Sequence, residues 1–392
     1  EGEYRTPAQE HAYLQPEAGT AYIDDQERIT VHTAGQWTWE DQQQIAHALD
    51  IPAERVRVVY DAIGGAFGGR EDMSVQIVLA LAVLRTYERY GNHRPMKIIW
   101  TREESIIGHC KRHPMVIYAK WGAKSDGNLL AAETKVVSDG GAYMYTSNKV
   151  LGNATKTCTG PYDFPHNSID AYAVYTNNVP GGAFRGFGGP QGHFAAEMQM
   201  NKLAAKLGVD PVELRLKNVL DENKLLPVST PIPGGVSLKQ VIGETARQSN
   251  WSHDRGHRLD RAGELPRFVS GKAFAAGYRN VGFSFGYPEN SWAEVELRGG
   301  AEIEEAVVRI AGADVGQGHH TAMGQIAAET LGIDFDRVIL ETSDTAFTKS
   351  SGSASASRLT FMAGNAVREA AQAARQKWQG EDRPAVAAVT YR

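Results

Sequence analysis

Four loops made of glycine and other small residues constrain the folding of this chain more than any other feature of its sequence. They occupy residues 64–69, 181–189, 316–318 and 350–357, and each lies directly before a predicted helix or within several residues of one. Glycine has no Cβ, so backbone N–H groups in such loops can approach a ligand closely, and a helix N-terminus adds the positive end of a dipole. A single loop of this kind is explained by a tight turn. Four of them in one chain predict a site for a large anionic cofactor.

The bulk composition excludes several classes of protein. The length of 392 residues corresponds to about two to four domains. The net charge of −5 argues against a strongly basic nucleic-acid surface and gives no reason to expect an anionic membrane as a partner. No apolar run reaches the roughly 18 residues that a membrane span needs. The chain begins at Glu1 without a signal-peptide pattern, so we expect a cytoplasmic protein whose N-terminus has been processed or cut.

Apolar residues alternate between strand and helix periods along the chain, which predicts an α+β or α/β fold. Residues 21–33 have the pattern of a β-hairpin. A long helix is predicted over residues 71–90, with Gly91 in the left-handed position after its last turn. Thr101 and Glu104 have the spacing of a capping box at the start of a short helix.

Residues 221–270 are richer in proline, glycine and charge than the rest of the chain, and we expect a linker there. The linker divides the chain into a first domain of residues 1–245 and a second domain of residues 246–392. Two copies of Gly-Gly-Ala-Phe, at 64–67 and 181–184, lie too far apart to indicate a short-period repeat.

Common sequence motifs for nucleotide binding and hydrolysis are missing or weak. The sequence contains neither the Gly-x-x-x-x-Gly-Lys-Ser/Thr pattern of a phosphate-binding loop nor a Gly-x-Ser-x-Gly nucleophile elbow. A loose dinucleotide-binding fingerprint at 186–192 is interrupted by Pro190. A generic nucleotide-binding oxidoreductase is therefore disfavoured.

Histidine and cysteine give little support for a metal site. Two histidine pairs have the i,i+4 spacing of a helical site: His109 with His113, and His253 with His257. A proline follows the first pair and a glycine interrupts the second, so we predict no zinc site from them. The two cysteines, Cys110 and Cys158, are too few for an iron–sulfur cluster. They are either buried small side chains or one disulfide.

Taken together, the four loops resemble the molybdopterin-binding region of the xanthine dehydrogenase/aldehyde oxidase family. The matching segments are Gly-Gly-Ala-Phe-Gly-Gly-Arg-Glu at 64–71, Ala-Phe-Arg-Gly-Phe-Gly-Gly-Pro-Gln at 183–191, Val-Gly-Gln-Gly at 315–318 and Ser-Ala-Ser-Ala-Ser at 353–357. Their order and spacing agree as well. Further similar segments are Arg-His-Pro at 112–114 and Gly-Pro-Tyr-Asp-Phe-Pro at 160–165. The resemblance extends from about Tyr4 to Val367.

The resemblance implies an α+β chain of two mixed α/β molybdopterin-binding domains, the second truncated at its C-terminus. It also implies that a molybdenum ion is held by the dithiolene of a pterin and not by protein side chains. A metal-bound hydroxide then attacks an aldehyde or an aromatic N-heterocycle, and hydride passes to a sulfido ligand of the metal. Electrons leave to iron–sulfur clusters and FAD on other domains or subunits. The cofactor is either plain molybdopterin or its cytosine dinucleotide form.

Site residues are assigned by the positions that match the family. The resemblance implies two catalytic residues: Gln36, whose amide donates to the metal oxo group, and Arg185, whose backbone N–H lies near the reacting oxygen. Both also belong to the implied cofactor site. The other implied cofactor contacts are Phe67, Gly68, Gly316, Gln317, Gly318, Ala356 and Ser357. The implied contacts to a small-molecule substrate are Glu71, Phe187 and Ser355.

Two positions bear on the choice of substrate. The arginine that orients the purine in xanthine-type members falls at Asn153, with Lys156 nearby in the sequence. A neutral amide cannot stabilise developing charge as a guanidinium does, so this match argues against xanthine itself. A second aromatic wall opposite Phe187 is implied at Phe283 or Phe285.

The catalytic base of the family is a glutamate in a Gly-x-Gly-Glu motif, and the sequence up to Arg392 contains no such motif. We therefore expect the base to come from another chain or segment, and we expect the isolated chain to be inactive. The alternative hypothesis is a noncatalytic paralogue or assembly module that keeps the cofactor-binding loops.

Overall fold

The structure, a computed structural model, describes residues 1–91, 93–252, 271–284 and 286–392. Its strands are β1 (Gly2–Thr6), β2 (Ala18–Ile23), β3 (Ile29–Thr33), β4 (Val56–Tyr60), β5 (Met96–Ile99), β6 (Lys111–Arg112), β7 (Met115–Ala123), β8 (Leu129–Gly141), β9 (His166–Tyr175), β10 (Gly181–Gly182), β11 (Ser291–Arg298), β12 (Glu305–Ile310), β13 (Val338–Thr342) and β14 (Ala385–Tyr391). Its helices are α1 (Thr38–Leu49), α2 (Gln76–Tyr90), α3 (Arg102–Gly108), α4 (Ser147–Thr157), α5 (Gly189–Leu207), α6 (Pro211–Asn218), α7 (Leu238–Gln248), α8 (His319–Leu331) and α9 (Arg358–Gln379). This mixture of helices and sheets confirms the predicted α+β fold.

The first sheet has the strand order β4-β3-β2-β5. Strands β2 and β3 pair antiparallel, and β3 pairs with β4 in parallel. Helices α1 and α2 pack on this sheet and contribute the fully buried Ile45 and Leu79 to its core. The segment between β4 and α2 contains the glycine loop 64–69, which therefore lies at the end of the sheet.

The second sheet has the order β1-β7-β8-β9, and helices α4 and α5 pack against it. Its core includes the fully buried Ile117, Val136 and Met200. A two-residue parallel pairing of β10 with β6 joins Gly182 to Arg112. This pairing fixes the start of the second glycine loop, which runs on into α5.

The third sheet has the order β13-β12-β11-β14, and α8 and α9 pack together at its side. The face of α9 that is turned to the sheet carries the fully buried Ala363, Ala366 and Ala370. Small side chains at these positions let the helix lie close to the strands. The loop 316–318 leads into α8, and the serine-rich loop 350–357 leads into α9.

Several predictions of local structure are confirmed. The hairpin 21–33 forms between β2 and β3. Thr101 and Glu104 make both hydrogen bonds of a capping box on α3, and Gly91 follows α2 in the left-handed conformation, with φ 62°. Cys110 and Cys158 are free and buried, as the first of the two alternatives for them states.

The helix predicted over residues 71–90 is wrong at its start, because α2 begins at Gln76. The Glu71 N–H donates to the carbonyl of Gly68 in a turn. The carboxylate of Asp72 accepts from the Thr146 hydroxyl at 3.1 Å. These bonds keep residues 71–75 out of the helix. Glu71 therefore does not have the stabilisation by a helix N-terminus that the prediction implies.

The part of the chain near the predicted linker 221–270 contains helix α7, whose Ile242 packs against Val212 and Phe274. Residues 253–270, with His253 and His257, lie outside the described residues. The domain boundary near residue 245 stays a prediction. Among the helices that the structure describes, none has the length and apolar character needed to cross a bilayer.

The capping box allows a small, defined test of local stability. The Thr101 hydroxyl accepts from the Glu104 N–H at 3.2 Å. We expect Thr101→Ala to lower the free energy of unfolding by about 1 kcal/mol, because one N–H at the helix start loses its partner. Denaturant unfolding measures this loss. The control is Thr86→Ala within α2, where the hydroxyl donates to the i−4 carbonyl of Ala82 and its removal should change stability by less than about 0.5 kcal/mol. Equal losses in both variants would contradict the assigned cap.

Candidate functional site

The four small-residue loops meet around one cavity of about 750 Å³. Three of them lead directly into helices, so the N-termini of α5, α8 and α9 lie next to the cavity wall. The first loop, 64–69, contributes to the wall without preceding a helix directly. The arrangement concentrates backbone N–H groups and positive helix ends around one space.

The wall contains all of the catalytic, cofactor and substrate contacts that the resemblance implies, except Gly318. The predicted residues on the wall are Gln36, Phe67, Gly68, Glu71, Arg185, Phe187, Gly316, Gln317, Ser355, Ala356 and Ser357. Gly318, one residue further along, is the N-cap of α8. Residues separated by more than 300 positions in sequence are thus brought to the same space.

The first two glycine loops lie directly against each other. A Cβ at position 68 would come within 3.0 Å of the Ala183 carbonyl group and of the Phe184 Cα, and the φ angle of Gly68 is +102°. The close approach lets the Arg185 N–H donate to the Phe67 carbonyl at 2.8 Å. Gly68 is therefore required for contact between the loops.

The side chain of Gln36 connects three segments of the wall. Its Oε1 accepts from the Gly68 N–H at 3.0 Å and from the Arg70 N–H at 3.3 Å. Its Nε2 donates to the Ala354 carbonyl at 2.8 Å and to Glu71 Oε2 at 3.2 Å. Both amide N–H bonds are directed to protein groups, so the predicted bond to a metal oxo group requires one of them to be exchanged.

Glu71 is a buried carboxyl group at the cavity wall, 6% exposed. Its Oε2 accepts from the Ser353 hydroxyl at 2.7 Å as well as from Gln36. Its Oε1 is buried without a hydrogen-bond partner among the described residues. Burial raises the pKa of Glu71 to about 8. The raised pKa favours the protonated form of this carboxyl at neutral pH, with the proton on Oε1, the oxygen without a partner.

The loop before α8 is closed by a carboxylate that the motifs do not single out. Asp314 Oδ1 accepts from the N–H groups of Gly316, at 2.9 Å, and Gly318, at 3.2 Å. Asp314 Oδ2 accepts from the His320 N–H at 3.1 Å. An aspartate ahead of a helix start is a capping signal, and it could have identified this residue. Two of the three N–H groups of the loop 316–318 are therefore satisfied by Asp314, and its glycines leave open space beside the cavity.

The loop before α9 is held from below by a buried arginine. Arg358, 1% exposed, donates to the carbonyls of Ser351 and Ser353 at 2.7 and 2.9 Å. It also forms an ion pair with Glu289 at 2.5 Å. These bonds fix the position of the serine-rich loop 350–357 beside the cavity.

Several non-glycine residues on the wall have left-handed backbone conformations. The φ angles are 53° at Phe67, 48° at Phe187, 48° at Ala356 and 57° at Ser357. Such conformations cost of order 1–3 kcal/mol each and are maintained by the surrounding structure. Their grouping on one wall is typical of a functional site.

The residues predicted to determine substrate choice are only partly at the wall. Phe283 borders the cavity, with its ring centroid 5.5 Å from that of Phe187, whereas Phe285 lies outside the described residues. Asn153 is fully buried and accepts from Lys156 Nζ at 3.2 Å, and neither residue belongs to the wall. Among the described residues, the wall carries two cations, Arg185 and Arg279, and no motif pointed to Arg279.

Comparison with known proteins gives matches over nearly the whole chain. Two family models, each described as a molybdopterin cofactor-binding domain, match residues 1–219 and 244–387. A probable xanthine dehydrogenase subunit of Bacillus subtilis is 34% identical over 93% of this chain and 47% of its own length. The nicotinate dehydrogenase large molybdopterin subunit of Eubacterium barkeri is 38% identical over 63% of this chain and 57% of its own length.

The same similarity is found among solved structures. The crystal structure of an aldehyde oxidoreductase from Desulfovibrio desulfuricans superposes with a TM-score of 0.87 at 25% identity, covering 100% of this chain and 43% of that one. The chain thus spans about half the length of the relatives and structures that it matches.

Proposed function

The chain belongs to the molybdopterin-binding subunits of the xanthine dehydrogenase/aldehyde oxidase family, and from this membership we propose that it forms much of the cofactor and substrate site of a molybdenum hydroxylase. The substrate we propose is an aldehyde or an aromatic N-heterocycle, and the oxygen that is inserted comes from water. The observation that carries the proposal is the single cavity on which four small-residue loops converge.

The residues of the cavity fit a large cofactor with a flat polar ring system. A Cβ at Gly316 would meet no other atom within 4 Å, so this part of the wall opens into free space. Phe67 is 49% exposed although it is a large apolar residue on a cavity wall. The Ser355 hydroxyl is buried without a partner in the described part of the chain. Unpaired polar atoms next to exposed apolar surface are what a bound cofactor would cover.

When bound, a molybdopterin-type cofactor supplies the metal centre at which the substrate is oxidised and from which electrons leave. We assign the amides of Gln36 and Gln317 to its polar edge, which requires each amide to exchange a bond that it makes within the protein. Gln317 Nε2 donates to the Ala313 carbonyl at 2.9 Å, and its Oε1 accepts from the Val315 N–H at 2.6 Å. We assign the exposed ring of Phe67 to its flat face. Gly316 provides the space in which it lies, and Arg185 and Ala356 border its metal end. Each of these residues lies on the cavity wall, which supports the roles that the resemblance implies.

The substrate-binding part of the proposal concerns Phe187, Phe283 and Glu71. The two rings form an apolar surface beside the cavity, against which a planar substrate can stack. The protonated carboxyl of Glu71 would donate through Oε1, which has no partner among the described residues, to a ring nitrogen of the substrate. The two groups together favour a planar heterocycle over an aliphatic substrate.

We further propose that the protein acts in the cytoplasm together with partners. Iron–sulfur and FAD-containing subunits or domains would accept the electrons, and a segment or chain outside these 392 residues would supply the glutamate base. The cofactor is proposed to be molybdopterin, either plain or as its cytosine dinucleotide.

Arg279 at the cavity wall leads to a prediction about substrate charge. An exposed guanidinium at the cavity attracts an anionic substrate with a modest, salt-dependent free energy. We expect Arg279→Gln to raise KM for a pyridine carboxylate about three- to fivefold and to leave KM for a neutral aldehyde within a factor of about two. Steady-state kinetics with both substrates in the same buffer test this. An equal change of KM for the two substrates would contradict the assigned role.

The proposed function is tested on the full-length protein, purified with its partner subunits. We expect about one molybdenum per copy of this chain, an extractable pterin, and turnover of at least one aldehyde or N-heterocycle with a dye as electron acceptor. Molybdenum and pterin without turnover of any such substrate would favour a noncatalytic cofactor-binding paralogue. A protein that contains neither molybdenum nor pterin would overturn the proposal in favour of an assembly module.

A further inference from the structure

Two buried histidine rings face each other behind the cavity wall. His11 and His109 are 6% and 4% exposed, and His11 Nδ1 lies 3.2 Å from His109 Nε2. Oε1 of Glu10 is 3.2 Å from the same His109 Nε2. All three ligand atoms lie within 4.8 Å of one another. The residues come from the segment before β2 and from the end of α3, so their spacing in sequence gives no hint of the cluster.

The outer nitrogen of each ring is committed as a donor. His11 Nε2 lies 2.6 Å from the Ala183 carbonyl oxygen, and His109 Nδ1 lies 2.5 Å from the Ser105 carbonyl oxygen. A carbonyl oxygen can only accept, so both outer nitrogens carry hydrogen. The inner nitrogens of two neutral rings then present lone pairs to each other at 3.2 Å, which is repulsive unless a cation lies between them.

A proton is disfavoured as that cation, because both rings are buried and a charged ring there would lose its hydration. Lys111 Nζ lies 3.0 Å from Glu10 Oε2 and adds a positive charge that further opposes protonation of the rings. Its distance of 3.4 Å to His109 Nδ1 is longer than that of the Ser105 carbonyl, so it does not change the assignment of the hydrogens.

Two of the three spacings between the donors match those around a tetrahedral metal ion. Two ligand atoms at 2.0–2.1 Å from zinc lie roughly 3.3 Å apart at a tetrahedral angle, close to the 3.2 Å observed for both contacts of His109. Two imidazoles and a carboxylate are donors that zinc and similar borderline ions prefer. The carbonyls behind the rings orient them as ligands of a metal commonly are. We propose that Glu10, His11 and His109 form a structural binding site for a divalent transition-metal ion of the zinc type, independent of the molybdenum cofactor.

The proposed site would join three parts of the fold. It links the segment before β2 to the end of α3, and through the His11 ring it reaches the Ala183 carbonyl, which belongs to the loop that packs on Gly68. The His11 ring also contacts the Phe184 ring, with the centroids 4.4 Å apart and the planes tilted by 36°. A metal ion here would therefore hold the second glycine loop from behind, without touching the substrate.

The test uses the full-length protein with its partner subunits, freed of loosely held metal by a chelator and titrated with Zn²⁺ or Co²⁺. We expect one tightly bound zinc per chain in addition to molybdenum, and tetrahedral Co²⁺ absorption bands after cobalt substitution. The His109→Gln variant should no longer bind this zinc ion. The control His47→Gln changes an exposed histidine on α1 and should keep it. Glu10→Gln leaves both rings in place and should weaken zinc binding at least about tenfold, because one charged ligand is lost.

Zinc binding by these variants distinguishes a metal site from a shared proton between the two rings. Loss of one zinc equivalent in His109→Gln, with retention in His47→Gln, supports the site. If His109→Gln fails to fold, weaker zinc binding by the milder Glu10→Gln variant supports it instead. Equal zinc and cobalt uptake by the wild type and both site variants, or no stoichiometric uptake by the wild type, overturns the proposal and leaves a shared proton as the cation between the rings.

Discussion

The substitution Gly68→Ala is expected to lower the free energy of unfolding by about 3 kcal/mol and to reduce the molybdenum content of the purified protein at least about tenfold. The added Cβ would lie 3.0 Å from the backbone of Ala183 and Phe184, and the residue has a φ of +102°. Neither backbone can move away without breaking the bond from the Arg185 N–H to the Phe67 carbonyl. The two loops would separate, and the cavity between them would lose its shape.

Denaturant unfolding and molybdenum analysis measure the two effects. The matched control is Gly91→Ala, where φ is also positive, at +62°, but a Cβ would meet nothing within 4 Å. That variant should lose only about 1 kcal/mol, from the backbone conformation alone, and should retain its molybdenum. Similar losses in the two variants would mean that the contact between the loops contributes neither to stability nor to molybdenum binding.

The second large effect is expected at Glu71, and it rests on the proposed function. We expect Glu71→Ala to lower kcat/KM for an N-heterocycle about 100-fold, since a donor at the reacting substrate is typically worth this much. Glu71→Gln keeps a neutral donor of similar size and should lose about tenfold or less. An aldehyde without a ring nitrogen serves as the control substrate and should be affected less by either change.

The pH profile of the same variants separates a chemical role from a structural one. The pKa of Glu71 is raised to about 8, so the wild type should lose activity toward the heterocycle as pH rises past about 8. Glu71→Gln cannot ionise, and its profile should stay flat there. A wild-type profile that remains unchanged up to pH 9 would show that Glu71 does not act as a donor to the substrate.

The raised pKa of Glu71 also determines whether the folded protein gains or loses stability as the pH rises. Between its ordinary value of 4.5 and about 8, Glu71 is protonated in the folded protein and ionised in the unfolded chain. The folded state then binds more protons, so stability falls as pH rises through this window. Asp41 and Asp72, with pKa values raised to about 7 by burial, act in the same direction. Glu71→Gln should therefore make the melting temperature depend less steeply on pH between 7 and 8. An unchanged slope would contradict the conclusion that Glu71 is buried in its protonated form.

Local features could be predicted from the sequence because their causes are local. Thr101 and Gly91 act within one turn of their helices, and the hairpin at 21–33 is set by its own alternation and turn. The convergence of the four loops could be predicted only through the resemblance to a family. Nothing in the spacing of residues 64–69 and 350–357 indicates that they meet.

The failures of prediction have a common physical origin in contacts between distant segments. The sequence places Glu71 at a helix start, but the carboxyl of the next residue, Asp72, bonds to Thr146, 74 residues away, and this contact helps to keep residues 71–75 out of the helix. The sequence also suggests that the glycines of 64–69 make room for a ligand. The structure shows that a Cβ at Gly64 or Gly69 would instead strike Gln15 or Tyr13, so these two make room for protein side chains.

Gln36 and Ala354 exchange two hydrogen bonds across the chain, and this contact bears on the order in which the chain folds. The Ala354 N–H donates to the Gln36 carbonyl at 2.8 Å, and the Gln36 amide returns a bond to the Ala354 carbonyl. The two residues are 318 positions apart, so this contact closes a very long loop, and we expect it to form late. Because Gln36 and Ala354 both border the cavity, the contact closes one side of the proposed cofactor site. We therefore expect cofactor exchange to be as slow as partial unfolding, and insertion to take place during biosynthesis.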